Sequence, residues 1–494
     1  MITIENTILK KQENFWNNCL FHPTDAVEDP WGKKILDRMA KDGSICSIRI
    51  YTMFEDIVYL DEYGNLAYDF RLNDLRLDYL VEKGYDILLA YAMMPECIAI
   101  NKNATSSVSK NKTRYKGKMI NTSAPTDYAL WEEICFTYTK HLLERYGEET
   151  VSKWHMQCFN EPDIPLFFLS DLPGDATYTR ITEYCKLYTA FASGIARASQ
   201  KLCFGGPALA GNLNFLEKFL TYIRQSGTRL DFISVHNYAG TGAWELCHTE
   251  CGFSVEKWIS DQEKYFSIIE KCGFSDTEVI VDEWGMAGQG FYNIEECPMF
   301  IARENETYSA YYVKLIHEIL RKGWKISKLF ICLSGQHEMV IDFSGFRNFF
   351  TLNFFAKPIY NAYVLASRLY ENILPYYCDT DHVYVIPTRN EQNQYRILVT
   401  YSSEKFTETL ETIRETITLP EETNGKTVQL YRIDRNTTNP YRLYERTEMT
   451  SDLTEEQIRL LREEGNIKPI GESFCTGSLS LELTANSVYM LEIC

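Results

Sequence analysis

Eight short apolar runs recur over the first 370 residues, and longer amphipathic stretches separate them. The runs lie at about 16–21, 45–54, 85–94, 151–160, 202–209, 231–238, 278–284 and 328–335. Nearly continuous apolar runs are typical of parallel strands that are covered on both faces. The stretches between them, such as 127–146 and 303–323, carry apolar residues at helical spacing. Eight such units in series predict an α/β fold, namely a (β/α)8 TIM barrel.

The alternative for a chain of alternating strands and helices is an open, doubly wound sheet. Such a sheet usually carries a glycine-rich phosphate loop directly after its first strand. Here the glycine pair Gly205-Gly206 comes only at the fifth run, and its spacing does not fit that loop. The sequence therefore favours the closed barrel over the open sheet.

The pattern changes after residue 370. Helical spacing gives way to runs in which apolar and polar residues alternate, at 382–389, 394–402, 426–434 and 487–493. Alternation of this kind is typical of antiparallel strands with one buried face. We predict a barrel domain over 14–370 and an accessory C-terminal β-sandwich over 371–494, joined by a strand from residues 1–13. One helix interrupts the sandwich at 454–464, with Thr454 as its N-cap.

The chain carries a formal net charge of −18. A negative surface of this size repels phosphate backbones and anionic lipid, so we expect neither nucleic acid nor a membrane as a partner. No segment approaches the roughly 20 apolar residues of a membrane-spanning helix, and the first residues do not resemble a signal peptide. We therefore expect a cytoplasmic protein, or a secreted or periplasmic one if a leader has been removed.

The 15 cysteines are an odd number and lie scattered along the chain. Several, such as Cys158 and Cys332, fall within apolar strand runs, which predicts reduced thiols in a reducing compartment. Cys247, His248 and Cys251 form the tightest cluster, but a zinc site usually needs a second pair of ligands at defined spacing, and none follows. We expect no metal and no organic cofactor.

Two of the predicted strands end in a carboxylate. The fourth run ends at Asn160-Glu161-Pro162, and the seventh ends at Glu283-Trp284. In a barrel the carboxyl ends of the strands form the active face, so the two glutamates are expected to face each other across one pocket. Glycoside hydrolysis needs such a pair, because one group protonates the leaving oxygen and the other attacks the sugar or activates water. A single glutamate at a strand end is often only solvated, but two in this arrangement favour a catalytic pair.

Two aspartates compete with the glutamates for these roles, namely Asp163 and Asp282. Because side chains alternate along a strand, Asp282 is expected to point away from Glu283, which makes it the weaker candidate. Trp284 follows Glu283 directly, and we predict that its aromatic ring contacts substrate.

Polar side chains at two strand ends are further candidates for the site. On the sixth run, His236 and Tyr238 lie two residues apart on one face, where they are expected to hold a carboxylate and sugar hydroxyls. The alternative for His236 is a structural role, which is common for a histidine at a strand end. Asn160 carries both a donor and an acceptor, which suits a sugar hydroxyl and a carboxylate.

Longer stretches of the chain resemble one known family, glycoside hydrolase family 39, which contains β-xylosidases and α-L-iduronidases. The similar stretches are residues 69–96, 141–163, 204–211 and 231–239, and with the strand ends they cover most of the barrel. The resemblance implies a retaining (β/α)8 enzyme in which Glu161 is the acid/base and Glu283 is the nucleophile. The Asn-Glu-Pro motif at 160–162 is only moderately specific, but its order with His236, Tyr238 and Glu283 is typical of the clan.

The sequence departs from the family around the expected subsite for the terminal sugar. Tyr51 stands where the family's β-xylosidases carry a sugar-binding histidine, and Ile331 and Gly335 stand where a tryptophan and an aspartate are expected. Glu338 matches a sugar-binding glutamate of the family, and Asp163 is closer to the iduronidase version of its motif. These departures bear on the identity of the sugar more than on the reaction.

The resemblance implies an exo-acting glycosidase that removes a terminal sugar by double displacement, as a β-xylosidase does. An α-L-iduronide, an α-L-arabinopyranoside, a β-glucoside and a β-galactoside are alternative substrates of the same mechanism. Basic residues after the third run suit an acidic sugar if they are not simply solvated: Lys102, Lys110, Lys112 and Arg114. The rival from another class is a catalytically decayed carbohydrate-binding protein, to which the departures give some weight and against which the presence of both Glu161 and Glu283 counts. The resemblance also allows for a homo-oligomer.

Overall fold

A closed barrel of eight parallel strands forms the larger part of the computed structural model, which describes residues 1–22, 27–106, 119–240, 253–288, 293–334, 339, 341–403 and 410–494. In chain order, barrel strands one to eight are Asn18–His22, Ser47–Tyr51, Asp86–Tyr91, His155–Cys158, Cys203–Leu209, Phe232–Tyr238, Glu278–Gly285 and Ile326–Ser334. Each strand pairs with the next, and strand eight pairs with strand one. The predicted barrel is confirmed, and every predicted run overlaps one of these strands.

One long helix follows each barrel strand and covers its outer face. The helices are Pro30–Asp42, Arg71–Glu82, Tyr128–Tyr146, Thr177–Ala198, Leu213–Ser226, Val255–Lys271, Glu306–Lys322 and Pro358–Ser367. Side-chain caps fix several of their starts: Asn212, Ser254 and Asn305 each accept a hydrogen bond from a backbone N–H of the first turn.

Short elements fill the connections of the barrel. They are the helix Glu148–Val151, the 3-10 helices Phe54–Asp56, Glu96–Ile98 and Pro298–Arg303, and the paired strands Val58–Leu60 with Leu66–Tyr68 and Thr105–Ser106 with Ile120–Asn121. Inside the barrel a small apolar cluster fills the lower part, with Leu20, Leu88, Phe232, Ile280 and Phe330 among its members. The upper part is left to polar side chains at the carboxyl ends of the strands.

Two further sheets pack face to face and share one core. The smaller has the order Tyr376–Cys378, Ile2–Ile4, Ile413–Thr418, Ser478–Leu483. The larger has the order Lys10–Lys11, Asn372–Ile373, Val383–Arg389, Tyr395–Tyr401, Ser487–Ile493, Thr427–Ile433, Pro469–Phe474. The fold class, a barrel with an accessory β-sandwich, is thereby confirmed, and the first residues of the chain pair with strands from its last quarter. The boundaries of the two domains stay a prediction.

The larger sheet lies directly on the barrel. Apolar residues on its barrel-facing side, including Leu398, Val488 and Met490, belong to the same core as the barrel helices. The accessory region also contains the 3-10 helix Glu421–Thr423 and the helices Pro440–Arg446 and Glu455–Glu464. Thr454 caps the last of these helices, as predicted.

Two predictions from composition concern the state of the cysteines and the presence of a membrane-spanning helix. Every cysteine among the described residues is a free thiol, in agreement with the predicted reduced state. A search of the described part of the chain finds no helix long and apolar enough to cross a membrane.

Candidate active site

The glutamates of strands four and seven meet in one cavity at the carboxyl end of the barrel. Glu161 follows the end of strand four, Glu283 lies near the end of strand seven, and both line a cavity of about 590 Å³. A carboxylate oxygen of Glu161 lies within 4.8 Å of a carboxylate oxygen of Glu283. Retaining glycosidases hold their two carboxyl groups about 5–5.5 Å apart, whereas inverting enzymes need about 6.5–9.5 Å. The spacing therefore matches the retaining class.

His236 lies between the two glutamates. Its Nδ1 is 2.8 Å from Oε1 of Glu161 and 3.5 Å from Oε2 of Glu283, and its Nε2 is 3.3 Å from Oδ2 of Asp282. Burial by itself lowers the pKa of His236, but the negative charges of Glu283 and Asp282 outweigh this and raise the pKa to about 10. At neutral pH the imidazole is therefore a cation that bridges three carboxyl groups.

Arg49 is the second buried cation of the site. Its Nη1 donates to Oε1 of Glu283 at 2.8 Å, and its Nη2 donates to Oδ1 of Asn160 at 2.7 Å and lies 3.2 Å from Oδ2 of Asp282. Its Nε donates to Gln157 at 2.9 Å. The neighbouring carboxylates raise the pKa of Arg49 despite its complete burial, so the guanidinium stays charged. One side chain of strand two thus orients groups from strands four and seven.

Two tyrosine hydroxyls complete the surroundings of Glu283. Tyr238 donates to Oε2 at 2.6 Å, a length typical of a strong hydrogen bond to a charged oxygen. Tyr51 is 3.5 Å from Oε1, at the outer limit for a hydrogen bond. His236, Tyr238 and Tyr51 thus all contact the carboxylate of Glu283. Because these contacts involve both of its oxygens, they fix the orientation of the side chain.

Charge pairing leaves Glu161 with a raised pKa and Asp282 with a lowered one. Although burial opposes ionisation of Asp282, Arg49 and His236 hold its pKa below the ordinary value. For Glu161 the balance is reversed: burial raises its pKa and Glu283 adds to the rise, while His236 only partly opposes it. Two cations are thus shared among three carboxyl groups, and the least compensated of the three is Glu161.

The prediction that Asp282 points away from Glu283 is wrong. Both side chains lie inside the barrel, since Asp282 accepts from Gln157 at 2.8 Å and contacts the same Arg49 as Glu283 does. The pairing register of strand seven shifts at this point against both neighbouring strands. Against strand eight, the shift lies between Val281 and Trp284. Such a bulge breaks the alternation of side chains, so two successive residues face the same way.

The prediction that Trp284 contacts substrate is contradicted by its position. Its ring is fully buried and stacks with Tyr312 and Tyr311 of the helix Glu306–Lys322, at centroid distances of 5.7 and 6.4 Å. Glu283 points into the barrel, and ordinary alternation then turns the next side chain, Trp284, outward into the layer between strand and helix. Trp284 does not line the cavity among the described residues.

The end of strand four has an unusual backbone. Phe159 and Glu161 have φ angles of 64° and 43°, in the left-handed region that residues with a Cβ rarely adopt. Asp163 accepts backbone N–H groups of Ala210 and Asn212, at 2.9 and 3.0 Å, which fixes the following turn. Strained backbone of this kind concentrates at functional sites, and here it directs the Glu161 carboxyl into the cavity.

The remaining predicted residues fall into two groups. Asn160 is buried beside Glu161, and its Nδ2 has no partner within the described protein. Tyr51 is buried at the end of strand two, and Ile331 is buried within strand eight. Several other predicted residues lie outside the described ranges: Gly335, Glu338, Lys110, Lys112, Arg114, Cys247, His248 and Cys251.

Within the described ranges, two clusters contain the residue types that bind metal ions. One is the Glu161–His236–Glu283 group, in which Nδ1 of His236 lies 2.8 Å from Glu161 and 3.5 Å from Glu283. The other, His155, Cys203 and Glu278, lies at the amino-terminal ends of the strands, where His155 is already 3.2 Å from Glu278. The first cluster lines the cavity, and the second lies at the opposite end of the barrel.

Comparison with known proteins agrees with this geometry. The sequence model described as glycosyl hydrolases family 39 matches residues 2–476. The chain belongs to glycosyl hydrolase family 39. Among family 39 relatives, a β-xylosidase of Caldicellulosiruptor saccharolyticus is 28% identical over 235 residues, which cover 47% of this chain and 44% of that protein. An α-L-iduronidase of Canis lupus familiaris is 26% identical over 250 residues, which cover 46% of this chain and 34% of that protein.

In sequence, the chain therefore aligns with only about half, or less, of the length of these relatives. In structure, the match to solved proteins extends over the whole chain. A monomeric β-xylosidase from Caulobacter crescentus superposes with a TM-score of 0.82 and 19% identity, covering 100% of this chain and 99% of that one. A bacterial orthologue of human α-L-iduronidase superposes with a TM-score of 0.76 and 15% identity, covering 100% and 83%. At these identities the likeness shows a shared fold.

Several groups that shape this family 39 cavity were missed from the sequence. Arg49 appears in strand two only as an arginine inside an apolar run, and Gln157 has the same position in strand four. Arg347 lines the cavity from the connection after strand eight. A buried charge within an apolar run is a usable signal, because such a residue needs a buried partner of opposite charge.

Proposed function

We propose that the protein is a retaining, exo-acting glycoside hydrolase that removes a terminal sugar, with a β-xyloside as the first candidate substrate. The observation that carries the proposal is the spacing of the Glu161 and Glu283 carboxylates, within 4.8 Å. That distance leaves room for a sugar carbon and its leaving oxygen, but not for the extra water that an inverting enzyme places between sugar and base.

In the first step, an oxygen of Glu283 attacks the anomeric carbon of the bound sugar. The bond from this carbon to the leaving oxygen breaks, and that oxygen takes the proton of Glu161. Tyr238 and Arg49 hold one oxygen each of the attacking carboxylate, which fixes its direction of approach. The raised pKa of Glu161 keeps its proton in place until the leaving oxygen needs it.

In the second step, the ionised Glu161 takes a proton from water, and the water oxygen attacks the anomeric carbon. The bond to Glu283 breaks, and the sugar leaves with its original anomeric configuration. His236 stays within hydrogen-bond reach of Glu161 in both steps, and its positive charge limits the cost of ionising Glu161 in a buried site. The unpaired Nδ2 of Asn160 offers a donor for a sugar hydroxyl.

The candidate sugar rests on likeness to named relatives. Two relatives are named β-xylosidase, from Caldicellulosiruptor saccharolyticus and Geobacillus stearothermophilus, and they align over 47% and 62% of this chain. A second candidate is an α-L-iduronide, because relatives carry that name and because Arg347 brings a buried cation to the cavity that also holds Glu283. A uronide carboxylate would meet that guanidinium, whereas a xyloside has no such group.

A panel of nitrophenyl glycosides tests the proposal and ranks the sugars. It comprises xylosides, arabinosides, glucosides and galactosides, with an umbelliferyl α-L-iduronide beside them. We expect hydrolysis of at least one member, with the β-xyloside the fastest. Faster hydrolysis of the iduronide would favour the second candidate. Binding of xylo-oligosaccharides without hydrolysis of any member would instead identify a decayed, carbohydrate-binding protein.

Variants of the two glutamates test their roles. Glu283→Ala and Glu161→Ala should each abolish nearly all hydrolysis, because one removes the attacking oxygen and the other the proton donor. Glycosides with good leaving groups should partly restore the first step in Glu161→Ala, since such groups depart without protonation. Glu278→Gln, at the opposite end of strand seven, is the matched control and should retain activity. Near-normal turnover in either alanine variant would refute the assignment.

A further inference from the structure

The cavity extends well beyond the two carboxylates, and its outer wall is apolar. Ile164, Leu166 and Phe167 line it from the connection after strand four, and Leu213 lines it from the start of the helix after strand five, Leu213–Ser226. Leu166 is 41% exposed, a large fraction for an apolar side chain. Because Glu161 belongs to the same connection, this wall lies on the side of the proton donor, where the leaving group departs in the proposed mechanism.

A second wall of the same region carries positive charge. Lys257, Asp261, Lys264 and Tyr265 line the cavity from the helix Val255–Lys271. Their spacing of four, three and one residues places them on one face of the helix. Both lysine ammonium groups bond to the carboxylate of Asp261, that of Lys264 at 2.7 Å. Two cations against one anion leave this wall with a surplus positive charge, in a chain whose net charge is −18.

The charged wall is held in a fixed relation to the catalytic carboxylates. Tyr265, on the same helix face, donates its hydroxyl to the backbone carbonyl of His236 at 3.1 Å. Asn237, the next residue of strand six, donates to the carbonyl of Trp258 in the helix at 2.9 Å. A lysine pair on a helix is usually just solvated, but this pair faces a cavity and its helix is bonded to the strand that carries His236.

We propose that this half of the cavity is a subsite for the leaving group and that it prefers an aglycone with an apolar body and a carboxylate. The apolar body would pack on Leu166, Phe167 and Leu213, and the carboxylate would meet Lys257 and Lys264. The inference rests on the proposed function, because the mechanism assigns the Glu161 side to the leaving group. It adds a preference that the two catalytic glutamates do not set.

A matched pair of substrates tests the preference. Both carry the sugar that the panel identifies, one on 4-(carboxymethyl)phenol and the other on the corresponding carboxamide. The methylene separates the charge from the phenol oxygen, so the two leaving groups are closely similar and kcat should differ little. We expect a KM about two- to fivefold lower for the carboxylate, the range for a partly exposed ion pair. The difference should shrink as salt is added, because exposed charges are screened.

Variants of the helix face locate the effect. The ratio of the carboxamide's KM to the carboxylate's KM should fall to one or below in the double variant Lys257→Gln, Lys264→Gln, because Asp261 then has neither lysine as a partner. Asp261→Asn should increase the ratio of the carboxamide's KM to the carboxylate's KM, because it removes the anion that neutralises one lysine. Lys271→Gln is the control, since this lysine of the same helix pairs with Glu217 and does not line the cavity. Equal KM values in the wild-type protein, or a ratio unchanged in the double variant, would overturn the proposal.

Calorimetry with the free aglycones separates this inference from the proposed function. 4-Hydroxyphenylacetate should bind the wild-type protein more tightly than its amide, and the double lysine variant should lose that difference. Such binding without hydrolysis of any glycoside would contradict the proposed function and still support the subsite. Hydrolysis without any carboxylate preference in KM or in binding would contradict the subsite and still support the proposed function.

Discussion

Replacing His236 by glutamine tests how the cation between the carboxylates controls the proton on Glu161. In the wild-type protein, burial raises the pKa of Glu161, and the imidazolium of His236, 2.8 Å away, opposes that rise. Glutamine keeps a hydrogen-bond donor of similar reach but carries no charge. The carboxylate form of Glu161 therefore loses its charged partner, and the pKa of Glu161 should rise further in His236→Gln.

The size of the rise follows from this one contact. Glutamine still donates to the charged Glu161 carboxylate, so the substitution removes the positive charge and not the hydrogen bond. An opposite charge within about 4–6 Å lowers the pKa of a carboxyl group by about 1–3 units, and its loss therefore removes at least roughly 1.4 kcal/mol of stabilisation from the ionised Glu161. Because one pKa unit corresponds to about 1.36 kcal/mol, we expect an upward shift of at least about one pH unit.

The pH profile of kcat/KM measures this shift, since its alkaline limb reports loss of the proton from the free enzyme's acid. In His236→Gln the alkaline limb should move to higher pH by at least about one unit, while the maximum rate falls because Glu283 loses a contact as well. His141→Gln is the matched control, because His141 bonds to Asp74 at 2.7 Å on the outer helices and should leave the limb unmoved. An unmoved or lowered limb in His236→Gln would refute the reasoning.

Three further substitutions test the structural account. Arg49→Met leaves buried carboxylates without a partner and should lower the free energy of unfolding by about 3–5 kcal/mol in urea titration, whereas the exposed Arg71→Met should cause no measurable loss. Trp284→Ala should lower the free energy of unfolding by about 3–5 kcal/mol in the same titration and change KM little, because the ring packs against a helix. A KM that rises tenfold or more without loss of stability would instead support the predicted substrate contact. Thr454→Ala removes the capping box of the helix Glu455–Glu464 and should cost about 1 kcal/mol, measured by thermal unfolding; unchanged stability would show that this cap contributes little.

The barrel was predictable because its signal repeats. Strands buried on both faces must be apolar along their length, and eight such runs separated by helical patterns leave few alternative folds. The position of Glu161 and Glu283 follows from the same rule, since each lies where an apolar run stops. The sandwich was predictable from alternating runs, but the order of its strands was not, because pairing between Ile2–Ile4 and Ile413–Thr418 joins residues far apart in the chain.

The details of the site were less predictable. Side-chain alternation assigned Asp282 to the wrong face, because a bulge in strand seven depends on pairing with its neighbours and has no period of its own. Trp284 was assigned to the site only as the neighbour of Glu283, although alternation after an inward Glu283 turns the next side chain outward, as observed. The lysines on the helix Val255–Lys271 have the spacing of any solvated helix face, and only the fold shows that this face lines a cavity. Arg49 was visible as a charge within an apolar run, but its partners lie on strands more than a hundred residues away.

Trapping the covalent intermediate tests the pairing of Glu161 with Glu283 most directly. A 2-deoxy-2-fluoro glycoside of the preferred sugar, with a good leaving group, slows the second step and lets the glycosyl-enzyme accumulate. Peptide mass spectrometry should then find one fluorosugar on the peptide that contains Glu283, with Asp282 unlabelled in the same peptide. A label on another residue, or release of a sugar of inverted configuration without any label, would contradict the account.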